Sequence, residues 1–115
     1  MANITNDSKR VLLVLYKQYL ERRKAGQSRS DASYFGDSEN LQMELFKNDS
    51  VDDLSDYCWE LSSAGYITCS PGDDLANNVT LTAETIIAME QRFPNGVKQV
   101  LEALSGLVGI ASAFI

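Results

Sequence analysis

Residues 50–81, SVDDLSDYCWELSSAGYITCSPGDDLANNVTL, decide the fold. Apolar side chains in the first half of this stretch recur at spacings of three and four residues, at Val51, Leu54, Cys58 and Leu61. This spacing predicts an amphipathic helix with one buried stripe. Ser50 supplies a side-chain cap at the start of the helix, and Gly65 is the residue type that commonly ends one.

The second half of the same stretch predicts two strands joined by a turn. Residues 66–69 are β-branched and aromatic, as strands usually are. Residues 71–78 are rich in proline, glycine, aspartate and asparagine, which favour turns. Residues 79–81 then return to a strand pattern, so the stretch predicts a helix followed by a β-hairpin.

The predicted helix has an acidic outward face. Its outward positions hold four acidic residues and a tryptophan, with no lysine or arginine: Asp52, Asp53, Asp56, Trp59 and Glu60. Two interpretations of the carboxylates stay open. They form either a surface that docks a basic partner or imitates the charge of DNA, or a solvated face whose first acids suit the helix N-terminus. Trp59 is either an interface anchor or packs inward beneath the hairpin or the terminal helix.

Upstream of this stretch, the sequence predicts a long central helix and a short one. Residues 6–8 offer caps for a helix that is predicted to end near residues 25–26, and the first half of this helix is apolar on nearly every side, as in a buried helix. Residues 27–36 are interpreted as a serine-rich loop, with residues 34–35 as a core anchor or a very short strand. Residues 37–38 offer caps for a short second helix.

The charge of the chain is divided unevenly. Residues 1–29 hold seven basic and two acidic residues, a balance of +5, whereas residues 30–115 hold three basic and fourteen acidic residues, a balance of −11. Four cations near the end of the first helix are candidate phosphate contacts: Arg22, Arg23, Lys24 and Arg29. The alternative is a solubilising helix end, where cations are stabilising anyway.

Downstream, a helix capped by Thr82 is predicted to run to Phe93, and residues 94–96, Pro-Asn-Gly, end it. Residues 5–93 therefore form the predicted main domain. Residues 95–115 form an apolar C-terminal helix that is part of the same domain or a dimer interface.

The C-terminal helix has the spacing of a coiled-coil seam. Its apolar positions alternate at four and three residues: Val97, Leu101, Leu104, Val108, Ala111 and Ile115. No charge follows Glu102, so such a stripe is expected to pack on its own domain, on a second copy or on lipid. The uncharged run 103–115 has thirteen residues, fewer than the roughly 18 that a spanning helix needs. A homodimer is the first expectation, and a membrane partner is not expected.

Composition excludes most catalytic chemistry. The chain of 115 residues contains no histidine and only two cysteines, which removes the usual near-neutral base and most metal sites. No phosphate loop or nucleophile motif is present. We therefore expect no enzyme activity, no cofactor, no metal and no small-molecule substrate. The N-terminus lacks a signal-peptide pattern, so we expect a cytoplasmic protein with reduced thiols.

The run LSSAGYI at residues 61–67, followed by a turn and by VTLTAETIIAMEQRF at residues 79–93, resembles small winged-helix proteins of bacteria and prophages, of the YjcQ-like type. The resemblance spans residues 9–93. It implies a helix-rich α+β fold, a winged helix-turn-helix with an additional C-terminal helix. It also implies a cytoplasmic, non-catalytic protein that binds DNA through the helix at residues 50–64. In this sequence that helix is acidic.

Two functions follow from these observations. The first is a DNA-binding transcriptional regulator of bacterial or prophage type, whose basic first helix contacts phosphates around an atypical acidic reading helix. The second is an acidic adaptor or inhibitor module that keeps the winged-helix scaffold and does not bind DNA. Fold analogy favours the first and charge favours the second.

Overall fold

A computed structural model describes residues 4–111 of the chain, with side chains described for residues 4–107. It contains six helices and three strands within the described residues. In chain order these are α1 (Asn6–Lys24), α2 (Arg29–Ser33), β1 (Tyr34–Gly36), α3 (Ser38–Glu44), α4 (Val51–Ser63), β2 (Ile67–Gly72), β3 (Leu75–Leu81), α5 (Ala83–Arg92) and α6 (Val97–Ala111).

The α1 helix is the centre of the core, as its apolar sequence predicted. Six of its apolar side chains are buried: Val11, Leu12, Leu13, Leu15, Tyr16 and Tyr19. Because these side chains point to several sides of the helix, α1 packs against α2, α4 and α6. Burial also raises the pKa of Tyr16 to about 12, with a smaller contribution from the charge of Glu90.

The three strands form one antiparallel sheet in the order β1-β3-β2. The predicted hairpin is confirmed, but its turn is much shorter than the sequence suggested. Only Asp73 and Asp74 connect the strands, with φ angles of 54° and 62°. A two-residue hairpin turn with positive φ at both positions matches the twist of the flanking strands, and aspartate tolerates it. The remaining turn-forming residues therefore belong to β2 and β3.

The α4 helix has the predicted bounds and the predicted cap. The Ser50 hydroxyl accepts a hydrogen bond from the backbone N–H of Asp53 at 3.1 Å. Leu54, Cys58 and Leu61 are fully buried, whereas Val51, the first residue of the predicted stripe, is only half-buried. Gly65 follows with a φ of 86°, which explains the glycine at the helix end.

Two expectations about residues 27–38 were wrong in detail. The serine-rich segment contains the short helix α2, capped by Ser28, which accepts a hydrogen bond from the N–H of Asp31 at 3.1 Å. A helix of five residues is too short to show a periodic pattern. Asp37 is the N-cap residue of α3, but its side chain makes no capping hydrogen bond; its carboxylate accepts a hydrogen bond from the N–H of Asn78 at 3.2 Å. The short strand β1 is confirmed.

The last two helices close the core. Thr82 caps α5 by accepting a hydrogen bond from the N–H of Thr85, as predicted, and Phe93 is buried at the end of α5. The α6 helix packs along α1 and buries Val100 and Leu104. The result is an α+β fold with a small antiparallel sheet, and its element order is compatible with a winged helix. In the part of the chain that the structure covers, no helix is long and apolar enough to cross a membrane.

Candidate interaction surface

The N-terminal end of α4 is fixed to α1 by an ion pair. The Arg10 guanidinium donates two hydrogen bonds to the carboxylate of Asp49, at 2.9 and 2.7 Å. Arg10 is 7% exposed, so the pair is largely shielded from water. Burial alone would lower the pKa of Arg10, but the hydrogen bonds and charges of Asp49 and Asp7 outweigh it and raise the pKa. Asp49 lies two residues before α4, so this pair ties the start of the helix to α1.

The second half of α4 is attached to the first turn of α1. The Glu60 carboxylate accepts hydrogen bonds from the backbone N–H of Thr5, from the Thr5 hydroxyl at 3.0 Å and from the Ser8 hydroxyl at 2.8 Å. The Thr5 hydroxyl also accepts a hydrogen bond from the N–H of Ser8 and so caps α1. The hydrogen bond from the N–H of Thr5 is the largest effect on the pKa of Glu60 and lowers it; burial, the next largest effect, raises it, and the hydroxyls of Ser8 and Thr5 lower it further, so that the pKa is lowered overall.

A third contact joins α4 to the hairpin. Ser55 is buried on the inner side of α4, and its hydroxyl accepts a hydrogen bond from the N–H of Ala76 in β3 at 2.8 Å. Ala76 is itself fully buried. Movement of the hairpin away from α4 would break this hydrogen bond. Because both groups are buried, neither could replace it readily with a hydrogen bond to water. The helix and the hairpin therefore present their outer surfaces in a fixed relative orientation.

The five residues of the predicted partner face do not share one environment. Asp52, Asp53 and Asp56 are exposed on the outer side of α4. Trp59 is half-buried and packs against the core. Glu60 lies on the same side of the helix, but its oxygens are used by the first turn of α1. The exposed surface thus consists of three carboxylates, which we call the acidic face.

The predicted phosphate contacts also divide into two pairs. The Arg22 guanidinium donates a hydrogen bond to the carbonyl oxygen of Tyr34 at 2.8 Å and lies 4.6 Å from the centroid of the Phe35 ring. Arg23 donates a hydrogen bond to the carbonyl oxygen of Gln27 at 2.9 Å. Both arginines thereby stabilise the connection after α1.

The other two cations are available to solvent. Lys24 and Arg29 are exposed, and neither forms an ion pair with a residue in the described part of the chain. They lie at the end of α1 and at the start of α2, outside the helix and hairpin that follow later in the chain. If a phosphate contact exists in this region, these two side chains are the ones placed to make it.

The helix and hairpin carry charge of one sign. Residues 51–81, which include α4, β2 and β3, hold six acidic residues and no lysine or arginine. Two of the six, Asp73 and Asp74, form the exposed tip of the hairpin. A polyanion that approached the outer side of α4 and the hairpin tip together would meet only like charge there.

The predicted dimer seam on α6 is split between the core and the surface. Leu104 is buried in the core, whereas Val97 is half-buried and Leu101 is 45% exposed. Over these three positions the predicted stripe is therefore not continuous on the surface, because Leu104 packs into the core whereas Leu101 is half-exposed. Val108, Ala111 and Ile115 lie outside the residues whose side chains the structure describes.

The remaining chemistry of the described residues is modest. A groove of about 440 Å³ lies between α5 and the start of β2, lined by Tyr66, Thr85, Ala88, Met89, Gln91 and Arg92. Burial, and then the neighbouring Cys69, raises the pKa of Cys58 to about 12, so that thiol stays protonated at neutral pH. Among the described residues, no group of cysteine, aspartate and glutamate side chains is arranged to hold a metal ion.

Sequence reasoning missed three residues that position this surface. Arg10 stands inside an apolar run, which hints at a buried charge, but nothing in the sequence identifies Asp49 as its partner 39 residues away. Asn78 has a φ of 56° in β3 and contacts two other elements. Its side chain accepts a hydrogen bond from the Tyr34 hydroxyl at 2.8 Å and donates one to the Ser70 hydroxyl at 2.9 Å. The Asn-Asn pair was interpreted as part of a turn, although asparagine also tolerates positive φ within a strand.

Comparison with known proteins identifies no relative of this chain: no family model, no curated protein and no solved structure matches it.

Proposed function

We propose that this chain is a non-catalytic regulatory module on a winged-helix scaffold, and that it binds a cationic protein surface through the acidic face of α4. An adaptor that recruits a basic partner and an inhibitor that occupies the basic site of a nucleic-acid enzyme both belong to this class. In either case Asp52, Asp53 and Asp56 supply the charge that the partner recognises.

One observation carries this proposal: residues 51–81 contain no cation and six carboxylates. In a winged helix these residues would form the reading helix and the wing. Neutralisation of phosphates by lysine and arginine supplies much of the affinity of proteins for DNA. A carboxylate can accept a hydrogen bond from cytosine, but it cannot replace that phosphate contact. Charge of this sign instead favours encounter with a positive surface.

The anchoring of α4 supports the same proposal. Arg10 with Asp49, Glu60 with the first turn of α1, and Ser55 with Ala76 hold the helix at three points along its length. The acidic face is therefore presented on a rigid element. A binding surface that is already ordered loses less conformational entropy when the partner arrives.

The test uses a cationic probe of defined composition, a peptide of ten lysines, measured by fluorescence anisotropy at about 50 mM salt. The variant D52N/D53N/D56N should weaken binding by about tenfold, since three exposed charge pairs contribute roughly 0.2–1 kcal/mol each. The matched control E39Q/E44Q/E84Q removes the same number of exposed charges outside residues 51–81 and should change binding by less than about threefold. Equal weakening by both variants would mean that only net charge matters, and would contradict a specific acidic face.

A DNA-binding regulator is the second candidate, and one observation favours it: Lys24 and Arg29 are exposed and carry no ion pair with a described residue. Random duplex DNA at about 50 mM salt is the appropriate probe, because the counterion-release contribution is strong there. We expect no measurable binding. Binding that is lost in K24Q/R29Q and kept in K47Q would instead establish the DNA function and overturn the proposal above.

A further inference from the structure

The outward side of α6 carries a surface that the proposed function does not use. An open groove of about 590 Å³ lies along this side of the helix, lined by Val97, Lys98, Leu101, Glu102 and Ser105. Leu101 is at its centre and is 45% exposed, one of the few large apolar side chains in the described residues with that much contact with water. Burial of a leucine from such a position is favourable by itself.

The inward side of α6 is already occupied. Val100 is fully buried and Leu104 is 9% exposed, both in the core that includes α1. The groove therefore faces away from the domain, and α6 cannot turn to bury Leu101 without exposing Val100. Within the described residues, nothing covers this side of α6, and a partner that packs there would bury Leu101 further.

We propose that this partner is a second copy of the chain, whose α6 packs antiparallel against the first, with the two-fold axis passing at Leu101. This inference is independent of the proposed function, because it concerns another helix and another chemistry. At 3.6 residues per turn, Val97 and Ser105 lie about 40° to either side of Leu101 around the helix. The antiparallel arrangement places Val97 of each copy opposite Ser105 of the other and brings the two Leu101 side chains together.

The charges beside the groove determine the direction of the second helix. Lys98 and Glu102 lie about 60° and 100° from Leu101 on the same flank of α6. In an antiparallel pair, the two-fold axis is perpendicular to both helices. The charged flanks of the two copies therefore lie on the same side of the interface, and Lys98 of each copy lies beside Glu102 of the other. The axial offset between them is two residues, about 3 Å, which a lysine side chain spans.

A parallel pair would not make these contacts. Its two-fold axis runs along the helices and places the charged flanks of the two copies on opposite sides of the interface. Lys98 would then face the uncharged flank of the second copy, and neither ion pair would form. Charge complementarity therefore selects the antiparallel arrangement of identical helices.

The size of the interface between the two α6 helices determines the dimer affinity that we expect. The α6 helix has 15 residues, which corresponds to a length of about 22 Å, and one such helix pair lies below the size of an ordinary stable interface. The dimer should accordingly be weak and concentration-dependent. Analytical ultracentrifugation from about 10 μM to about 1 mM should show the mass rising from one chain to two. A chain that remains a monomer throughout this range overturns the proposal.

Substitution of the central leucine tests the location of the interface. L101E introduces two carboxylates that would face each other across the axis, and should weaken the dimer by more than about tenfold. M43E is the matched control, because Met43 is 67% exposed and lies on α3, away from the groove. Circular dichroism verifies that both variants are folded. An L101E dimer as stable as that of M43E contradicts the proposal.

Charge exchange and cross-linking test the direction of the helices. K98E and E102K should each weaken the dimer, whereas the double variant K98E/E102K should restore most of the loss.

A mixture of V97C and S105C chains should form a mixed disulfide, with little cross-linking of either variant to itself. The parent chain gives the background from its two cysteines. Self-cross-linking of V97C in preference to the mixed product would indicate a parallel pair and overturn the antiparallel arrangement.

Binding of the parent chain to phosphatidylcholine vesicles in place of self-association would overturn the second copy as the occupant of the groove.

Discussion

The helices α4 and α6 both pack against α1 through buried apolar side chains, but α4 has polar anchors in addition. On α4, polar groups anchor the helix along its length, through Asp49 just before it and through Glu60 in its second half. On α6, the described contacts with the core are apolar and include Val100 and Leu104. Their outward sides also differ, since α4 exposes only acidic charges whereas α6 exposes Leu101 beside one charge of each sign, Lys98 and Glu102.

This difference shows how one small domain can present two kinds of surface. Hydrogen bonds and ion pairs are directional, so the anchors of α4 fix both its position and its rotation. Apolar burial is not directional and depends mainly on the area removed from water. We infer that α4 is suited to hold charges in fixed places, whereas α6 is suited to join another apolar surface.

The largest difference in stability is expected between a buried leucine of α4 and a half-exposed leucine of α6. Leu61→Ala removes a fully buried side chain of α4 and should lower the free energy of unfolding by about 3–5 kcal/mol. Leu101→Ala, on the outward side of α6, should lower the stability of the monomer by less than about 0.5 kcal/mol. Urea denaturation of both variants at low protein concentration measures the difference, and similar losses would contradict the distinction between the two sides.

The ion pair at the start of α4 should have the next largest effect. Arg10→Met keeps the apolar stem of the side chain but leaves Asp49 without its two hydrogen bonds, and should cost about 3 kcal/mol. Lys17→Met is the matched control, because Lys17 forms an ion pair with Glu21 at 2.7 Å on the exposed side of the same helix. That change should cost less than about 0.5 kcal/mol. Thermal denaturation compares the two, and equal costs would mean that burial of the pair is unimportant.

Loss of the cap on α1 should have a smaller effect. Thr5→Ala removes the hydroxyl that accepts from the N–H of Ser8 and donates to Glu60, and should cost about 1 kcal/mol. Thr5→Ser keeps the hydroxyl and should restore most of the stability. Chemical denaturation provides the measurement. If Thr5→Ser is as unstable as Thr5→Ala, the loss of stability comes from the methyl group of Thr5 and not from its hydroxyl.

The smallest effect should depend on pH. The pKa of Glu60 is lower in the folded chain than its ordinary value of 4.5, so the unfolded chain takes up a proton first as the pH falls. The stabilisation from Glu60 is therefore complete above about pH 4.5 and is lost as the pH falls through the folded-state pKa. Glu60→Gln should reduce stability at pH 7 and approach the parent chain at pH 3. Asp56→Asn on the same helix is the control, and parallel curves for Glu60→Gln and the parent chain would contradict this role.

Much of the fold follows from local sequence. The stripe that includes Leu54, Cys58 and Leu61 predicted α4, and Thr82 and Gly65 marked a helix start and a helix end that the structure contains. Each of these signals lies within a few residues of the feature it predicts, so helix periodicity and capping chemistry are sufficient to predict where these helices begin and end. The α2 helix was missed because five residues are too few to show periodicity, although Ser28 supplies its cap.

The details of the surface could not be predicted in the same way. Whether Glu60 is a free surface charge or an anchor depends on Thr5, 55 residues away in sequence. Whether Leu104 faces outward depends on the rotation of α6 against α1, and the heptad spacing alone does not contain that rotation. Arg22 was a candidate phosphate contact because of its charge, but the carbonyl oxygen of Tyr34 and the ring of Phe35 occupy it.

The attachment of Thr5 to Glu60 also has a consequence for the order of folding. The middle of α1 can form from neighbouring residues, but its first turn needs a carboxylate that is synthesised 55 residues later. Bringing together groups so distant in the chain costs loop-closure entropy, which delays such contacts. Pulse labelling with deuterium during refolding should therefore show the amide of Thr5, which donates to Glu60, protected after that of Leu15 in the middle of α1.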